Sequence, residues 1–298
     1  MIVITTPTGA IGGQLLDIML REAPARGQRL RVVVRDDARL PEATRGRVDV
    51  VTGSHRDPEV VDRAFDGAEA VFWVIPPDPS ARDLEQAYSG FTEAAAKAFA
   101  AHGIRHVVGV SALGRGTPVA DRAGLVTASL AMDDLIASTG VAYRALVNPS
   151  FMDNLLRQVI SIRDHGEFTG TAAADHAAPI TATADIAAAG ARLLLDRSWT
   201  GSGEVAVLGP EDLSHDDMAR IMSEALGRPI RYRRESQAEL RAALAGRGAS
   251  EAFTRGFVDM MRAKDEGLDN AALRTPATTS PTDFRGWCER VLTPAVLA

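Results

Sequence analysis

Hydrophobic residues near the start of the chain change their spacing within twenty positions. Residues 2–4 form a short apolar run, and residues 5–9 are turn-forming types. Apolar residues then recur every three to four positions, at Ile11, Leu15, Leu16 and Met19. A continuous run predicts a buried strand, whereas the wider spacing predicts an amphipathic helix. The pattern therefore predicts a strand, a turn and a helix, in that order.

The same alternation continues to about residue 150. Apolar runs of the strand type lie at residues 30–34, 48–51, 70–75, 106–110 and 143–147, and helical patterns lie between them. Alternating strands and helices predict a parallel sheet with helices on both faces. We therefore expect an α/β fold with a doubly wound parallel sheet of the Rossmann type.

The rhythm changes after Phe151. We expect a helix over residues 152–162, a return helix over about residues 184–198 in which Asp185 is the N-cap, and a strand over residues 204–208. Ser214 and Asp217 form a predicted capping box. The prediction is a dinucleotide-binding domain over residues 1–150 and a smaller α+β lobe over residues 151–298 that covers the substrate. The return helix packs back on the first domain.

The turn after the first strand has the composition of a phosphate-binding turn. Gly9 lets the backbone approach a pyrophosphate, and Gly12 lets the helix pack tightly on the strand. The N–H groups and positive dipole end of the helix supply an anion site. A complete glycine pattern would also have glycine at Thr6. The residues expected to hold a cofactor here are Thr6, Pro7, Thr8, Gly9, Ala10, Ile11 and Gly12.

Arg35 follows the second strand directly, at the position that faces the adenosine ribose in this fold. A guanidinium pairs with the 2′-phosphate of NADP, whereas a carboxylate would accept from the 2′-hydroxyl of NAD. We therefore expect NADP, with NAD as the less favoured alternative. Asp36 or Asp37 keeps that alternative open, unless one of them caps the next helix.

The later strands end at the same edge, because right-handed crossovers align the carboxyl ends of parallel strands. Ligands of open α/β sheets bind along that edge. The residues expected to line the cofactor there are Ser54, Ile75, Pro76, Ser111, Asn148 and Pro149.

Charge and composition exclude several other functions. The net charge of −6 argues against a nucleic-acid surface, and the six scattered histidines suggest no metal site. No spanning or signal segment is evident, so we expect no membrane association. The single cysteine, Cys288, fits a reducing compartment, and we expect a cytoplasmic protein in which Cys288 is a buried structural thiol.

The catalytic pair typical of short-chain dehydrogenases is missing from the sequence. That pair is Tyr-x-x-x-Lys, in which the lysine lowers the tyrosine pKa. Tyr88, Tyr143 and Tyr232 are the only tyrosines, and none has lysine four residues later. The remaining candidate donors are Ser111, Ser129 and Asn148, and the sequence places no basic partner beside either serine.

Six stretches of the sequence carry a family resemblance: ITTPTGAIGG, VVVRDDARL, RHVVGVSALG, YRALVNPSFMDN, LGPEDLSHDDMARIMSEALGRPIRY and SPTDFRGW. They resemble the NmrA-like branch of the atypical short-chain dehydrogenase/reductases, and the pattern is most similar to quinone and triphenylmethane dye reductases. Thr6, Ser54 and Val147 depart from the family pattern, which often has glycine, aspartate and arginine there. The resemblance implies either hydride transfer without the tyrosine–lysine pair or cofactor sensing without turnover.

Without that pair, we expect an NADP(H)-dependent reductase whose small-molecule acceptor is electron-poor, such as a quinone, an iminium or a conjugated cation. Such acceptors take hydride mainly through positioning. The residues expected to contact the substrate are Phe151, Met152 and Asn154. The alternatives are a redox-sensing regulator and a non-redox enzyme on the same scaffold. A homodimer is left open.

Overall fold

The computed structural model describes residues 1–298. Its first half alternates strands and helices as the apolar pattern predicts. The elements in chain order are β1 (Ile2–Thr5), α1 (Ala10–Glu22), β2 (Leu30–Val34), α2 (Glu42–Arg45), β3 (Asp49–Thr52), α3 (Pro58–Phe65), β4 (Ala70–Trp73), α4 (Leu84–Ala101), β5 (His106–Ala112), α5 (Leu125–Ser138) and β6 (Ala142–Asn148).

The second half contains shorter strands and more helices. Its elements are β7 (Ser150–Phe151), a 3-10 helix (Met152–Gln158), α6 (Val159–His165), β8 (Glu167–Gly170), β9 (Ala178–Thr181), α7 (Thr183–Leu195), β10 (Ser202–Ala206), β11 (Asp212–Leu213), α8 (His215–Leu226), β12 (Arg231–Arg234), α9 (Gln237–Gly246), α10 (Glu251–Asp265), α11 (Phe284–Trp287) and α12 (Thr293–Leu297).

Seven strands form one parallel sheet in the order β10-β6-β5-β4-β1-β2-β3. The order reverses between β1 and β4, where Ile4 pairs with Val32 on one side and with Phe72 on the other. This confirms the predicted doubly wound Rossmann-type fold. Because all seven strands are parallel, their carboxyl ends lie along one edge of the sheet, and a reversal of strand order at that edge opens a crevice for a ligand.

Both faces of the sheet are buried under helices. One face packs against α1 and α7 through a core that includes Leu15, Phe72 and Ile186. The other face packs against α3, α4 and α5 through residues such as Phe65 and Ile136. Strands buried on both sides explain the continuous apolar runs in the sequence.

The chain returns to the main sheet twice after residue 150. Helix α7 packs on α1 and on the sheet. Gly190 allows this close packing, since a Cβ atom there would lie 2.9 Å from both Leu15 and Phe72. Strand β10 then pairs with β6, so the strand that we assigned to the smaller lobe is the seventh strand of the main sheet. Gly201, with φ of 64°, forms the turn into β10.

The smaller lobe has its own core, built around Phe168, Ile221, Met222 and Trp287. Two small sheets, β11-β9-β7 and β12-β8, lie beside this core. The expected division at residue 150 stays a prediction. Helix α10 reaches back to α5, where the backbones of Gly124 and Gly256 pass too closely for a Cβ atom on Gly124.

Side-chain caps explain several helix boundaries. The capping box of Ser214 and Asp217 is confirmed at the start of α8. The prediction that Asp185 is an N-cap is wrong, because Asp185 lies inside α7 and accepts hydrogen bonds from the N–H and hydroxyl of Thr282 at 3.1 and 2.9 Å. Asp153 accepts from the N–H and hydroxyl of Thr183 at the helix start instead. None of the helices combines the length and apolar character needed to cross a membrane.

Candidate functional site

The turn between β1 and α1 contains the one non-glycine residue of the chain with a positive φ. Thr6 has φ of 51°, in the left-handed region that costs a side-chain-bearing residue about 1 kcal/mol or more. This is the position where a complete glycine pattern has glycine. Thr6 therefore adopts the left-handed conformation that favours glycine at this position of the pattern.

Gly12 brings the first turn of α1 against the backbone of this loop. A Cβ atom at Gly12 would lie 2.2 Å from the carbonyl oxygen of Thr6 and 3.1 Å from that of Thr5. Gly9 is looser, with its Cβ position 3.3 Å from the same Thr6 oxygen. Only glycine at position 12 therefore permits this packing of helix on turn.

The N-terminus of α1 is open. Gly9 is the N-cap, no side chain caps the helix, and no acidic residue lies in its first turn. Thr8, Gly9 and Ala10 are exposed, whereas Pro7 and Ile11 are buried beneath them. The first N–H groups of the helix and its positive dipole end are thus free to meet an anion. These residues fit the diphosphate of a dinucleotide.

Arg35 is exposed where β2 ends, and no ion pair or hydrogen bond holds its guanidinium. The neighbouring carboxylate of Asp36 caps a 3-10 turn, Asp37–Arg39, by accepting from the N–H of Ala38 at 3.1 Å. The capping interpretation of Asp36 is therefore observed. It leaves Arg35 and Asp37 as the charged groups without a side-chain partner directly after β2.

His55 is a buried group at the end of β3 that the sequence analysis missed. Its side chain is 6 % exposed and contacts the rings of Trp73 and Phe91 edge-on. Its Nε2 lies 2.9 Å from the carbonyl oxygen of Val74. Burial lowers the pKa of His55 to about 4, so the ring is neutral and donates from Nε2, which leaves Nδ1 as an acceptor.

The ends of β1 and β4 are fixed to each other by Thr5. Its hydroxyl donates to the carbonyl of Phe72 at 3.0 Å and accepts from the N–H of Val74 at 2.8 Å. Ile75 and Pro76 follow and are half-buried, as is Ser54 at the end of β3. The expected lining residues of this part of the edge therefore lie around a rigid strand pair.

Ser111 belongs to a buried polar network at the end of β5. Its hydroxyl donates to the Asp133 carboxylate at 2.5 Å, and the Tyr143 hydroxyl donates to the other oxygen of that carboxylate at 2.6 Å. The Ser129 hydroxyl lies 3.2 Å from that of Ser111. The prediction that neither serine has a basic partner is wrong, because Asp133 on α5 lies directly beside Ser111.

Burial dominates the electrostatics of this network. Asp133 is 3 % exposed, and burial raises its pKa to about 6 against the lowering effect of the Ser111 and Tyr143 hydrogen bonds. Burial also raises the pKa of Tyr143 well above its usual value. Asp133 therefore changes protonation near neutral pH, unlike an ordinary aspartate.

Asn148 holds the ends of β5 and β6 together. Its amide nitrogen donates to the carbonyl oxygens of Ser111 at 3.0 Å and Leu146 at 2.7 Å, while its Oδ1 is buried without a partner. Both amide hydrogens are therefore occupied, which removes Asn148 as a donor to a substrate. Pro149 follows, buried at the same edge.

The expected substrate residues are not brought together. Met152 is 1 % exposed inside the core of the smaller lobe, so its side chain is closed to a substrate, contrary to the expectation. Phe151 is half-buried against the core of the main sheet, and Asn154 is exposed. The spacing of these residues gave no signal of which way each side chain points.

The smaller lobe reaches the end of β5 through the segment after α10. Leu268 packs on the backbone at Gly114, where an added Cβ atom would lie 2.5 Å from its methyl group. Asp269, which is buried, pairs with Lys264. Asn270 donates to the carbonyl of Ala177 at 2.9 Å. This segment covers the edge beside Ser111.

Other reactive side chains lie apart from this edge. Cys288 is fully buried in the smaller lobe, where burial raises the pKa of its thiol to about 12. It is therefore an unreactive structural thiol. No three His, Cys, Asp or Glu side chains are grouped so that they could hold a metal ion.

Known proteins match both the sequence and the fold. An NAD(P)H azoreductase of Xenophilus azovorans is 28 % identical over 253 residues, which cover 85 % of this chain and 83 % of that protein. Quinone oxidoreductase 2 of Escherichia coli K12 is 24 % identical over 273 residues, 92 % of this chain and 90 % of that protein. The crystal structure of Citrobacter sp. triphenylmethane reductase complexed with NADP(H) superposes with a TM-score of 0.78 at 19 % identity, covering 99 % of this chain and 100 % of that one.

Two of these three proteins are quinone and triphenylmethane reductases, so the resemblance inferred from the sequence motifs is confirmed. A family model described as NAD(P)H-binding matches residues 7–196, which include the open helix end, Arg35 and the Ser111 network. This span is more than half of the chain. The chain belongs to the NAD(P)H-binding family.

Proposed function

We propose that this protein is an NADPH-dependent reductase that transfers hydride to a small electron-poor acceptor. The observation that carries the proposal is the open N-terminus of α1 at the topological switch point of the sheet, between β1 and β4. The named oxidoreductases among its relatives support a redox role.

NADP is favoured over NAD by the groups around Arg35. The guanidinium is unpaired and exposed, so a 2′-phosphate has a free partner, whereas the carboxylate next to it in sequence, Asp36, is engaged as a cap. Asp37 is exposed and is the remaining carboxylate that an NAD ribose would require. The structural relative in complex with NADP(H) is consistent with this preference.

The acceptor class follows from the state of the candidate donors. The Ser111 hydrogen is bound by Asp133, and both amide hydrogens of Asn148 are bound by carbonyl oxygens. Bound NADPH supplies hydride, and an acceptor that is already electron-poor needs little help from an acid. We therefore favour quinones, iminium ions and conjugated cations over simple ketones.

Binding and turnover test the proposal in two steps. Titration of the purified protein with NADPH and NADH, followed by nucleotide fluorescence, should show tighter binding of NADPH. A screen with menadione, methyl red, crystal violet and cyclohexanone should then show NADPH oxidation with at least one of the first three. Turnover of cyclohexanone alone would contradict the acceptor class, and tight binding without any turnover would favour the sensor.

Two further expectations stay predictions, a cytoplasmic location and the absence of a nucleic-acid partner. A homodimer stays open, and sedimentation of the pure protein addresses it.

A further inference from the structure

The hydrogen bonds around Ser111 limit whether this serine can donate a hydrogen to a ligand. A serine hydroxyl has one hydrogen, and here Asp133 accepts it. The Tyr143 hydroxyl donates to the other carboxylate oxygen. An ionised Asp133 has no hydrogen of its own, so it cannot donate one to the Ser111 oxygen and free the Ser111 hydrogen. With Asp133 ionised, the Ser129 hydroxyl donates to Ser111, and Ser111 offers only a lone pair to a ligand.

Protonation of Asp133 reverses this arrangement. A carboxylic acid has a hydrogen of its own, which Asp133 can donate to Ser111 along the same contact. Tyr143 continues to donate to the remaining carboxyl oxygen. The Ser111 hydrogen is then released and can turn toward the edge of the sheet, since Ser111 is the penultimate residue of β5.

We propose that Asp133 and Ser111 form a proton relay that serves acceptors requiring a proton along with hydride, with Ser111 as the donor and Asp133 as the residue that positions and recharges it. The relay deepens the reductase function proposed above and rests on it. It assigns a role to a carboxylate that lies outside every motif of the sequence.

Hydride addition leaves one oxygen of a quinone as an anion, which takes the proton of the Ser111 hydroxyl. The Ser111 oxygen takes the proton of the Asp133 carboxylic acid as its own O–H bond breaks. Asp133 is left as a carboxylate and is reprotonated from solvent. The product is the hydroquinone, which has gained two electrons and two hydrogens, one as hydride and one as a proton.

The charged groups around Asp133 are few. Ser111 and Tyr143 face it from β5 and β6, and Ser129 lies next to Ser111 on the same helix as Asp133. Arg115, which pairs with Asp134 and Glu204, lowers the pKa of Asp133, and Glu204 raises it. Burial outweighs the lowering by Arg115 and by the hydrogen bonds from Ser111 and Tyr143, and it places the pKa of Asp133 at about 6.

Turnover that needs the Asp133 proton is expected to be faster at low pH. Asp133 carries a proton below its pKa and is ionised above it. Turnover that needs this proton therefore falls as the pH rises through about 6. Losing one hydrogen bond to a developing anion corresponds to a loss of about tenfold in kcat/KM.

Two acceptors separate proton delivery from hydride transfer in the wild-type protein. Menadione takes hydride and a proton, whereas crystal violet is a cation that takes hydride alone to give a neutral product. We expect kcat/KM for menadione to fall about tenfold between pH 5 and pH 8, and that for crystal violet to show no such decline. The same decline with both acceptors would overturn the relay.

Asp133→Asn tests the assignment to this residue. The amide oxygen can accept from Tyr143 while the amide nitrogen donates to Ser111, which imitates the hydrogen bonds of the protonated carboxyl but supplies no proton that can be transferred. We expect the menadione reaction to lose its decline because its rate at pH 5 falls about tenfold, to the level that the wild-type protein shows at pH 8, while the crystal violet reaction is unchanged. Asp134→Asn, at the exposed neighbouring carboxylate, is the matched control and should keep the decline.

Tyr143→Phe provides a second test if Asp133→Asn fails to fold. It removes a hydrogen bond that lowers the pKa of Asp133, so the decline should move to higher pH. A decline that is unchanged in Asp133→Asn and Tyr143→Phe, in proteins that still bind NADPH, overturns the relay but leaves the reductase function standing. Failure of the wild-type protein to bind NADPH contradicts the reductase function itself.

Discussion

The two ends of the carboxyl edge of the sheet carry polar groups in different environments. At β1 and β2 the groups proposed to bind the cofactor are exposed: the backbone N–H groups that open α1, and the guanidinium of Arg35. At β5 and β6 the groups are buried and bonded to one another, as in the contact between Ser111 and Asp133 and the two amide bonds of Asn148. The first end exposes positively polarised and charged groups that can meet an anion. The second end keeps its polar hydrogens in internal hydrogen bonds.

This difference has an energetic side. Exposed N–H groups and a solvated guanidinium cost little when no ligand is bound. A buried carboxylate is expensive, because ionising Asp133 in the fold is harder than in the unfolded chain. The free energy of unfolding is therefore lowered at neutral pH by Asp133, as is common where a fold keeps a titratable group for chemistry.

The largest expected effect tests the packing on which the β1 end depends. Gly12→Ala places a Cβ atom 2.2 Å from the Thr6 carbonyl oxygen, so α1 must shift. We expect a loss of about 3 kcal/mol in the free energy of unfolding, measured by urea denaturation, and loss of NADPH binding. Gly13→Ala, with its Cβ 3.3 Å from the nearest atom, is the matched control and should bind normally. Normal binding by both variants would show that the turn tolerates displacement.

His55 sharpens the comparison, because it is a buried titratable group at the otherwise exposed end. Its folded pKa of about 4 lies below the usual 6.5, so its stabilising contribution is complete above pH 6.5 and is lost as the pH falls toward 4. Between pH 7 and pH 4.5 this amounts to about 2 kcal/mol. Urea denaturation of His55→Gln should show a shallower pH dependence by this amount, and parallel curves would contradict it.

Arg35→Ala tests whether the β2 end recognises phosphate. We expect the affinity for NADPH to fall by at least about tenfold, since a charge-assisted hydrogen bond contributes about 2 kcal/mol, and the affinity for NADH to change little. Fluorescence titration of both nucleotides measures this. Arg21→Ala removes the same charge at the far end of α1 and serves as the control. Equal losses for both nucleotides would rule out phosphate recognition by Arg35.

The smallest effect is expected for Ser129→Ala. This change removes the hydroxyl next to Ser111 but leaves the contact with Asp133, so it should cost about 1 kcal/mol of stability. The decline of menadione turnover with pH should remain. If the decline disappears, Ser129 is itself part of proton delivery and the relay is longer than two residues.

Most elements of the fold were predictable from apolar spacing. Strand β2 was predicted to the residue, and β5 and β6 within two residues, because burial on both sides leaves continuous apolar runs. The place of β10 was not predictable. Its residues are exposed or half-buried at the edge of the sheet, so nothing in their sequence shows that they pair with β6.

The site divides in the same way. Gly9, Gly12 and Arg35 are recognisable from the sequence because a phosphate-binding site is built from short local segments. Here these segments are one turn, one helix start and one strand end. His55 and Asp133 carried no such signal. Each is recognisable only from a partner distant along the chain, Val74 for His55 and Ser111 for Asp133.

The sequence by itself determined the sheet, the open helix end and the charge beside it, because these depend on neighbouring residues and on the spacing of apolar side chains. Only the tertiary structure decided that Asp133 faces Ser111, that Asn148 has no hydrogen to give, and that Met152 is closed off. The physical reason is that burial and hydrogen-bond partners are properties of packing. The same aspartate on an exposed helix face would keep its ordinary pKa and could not take part in the proposed relay.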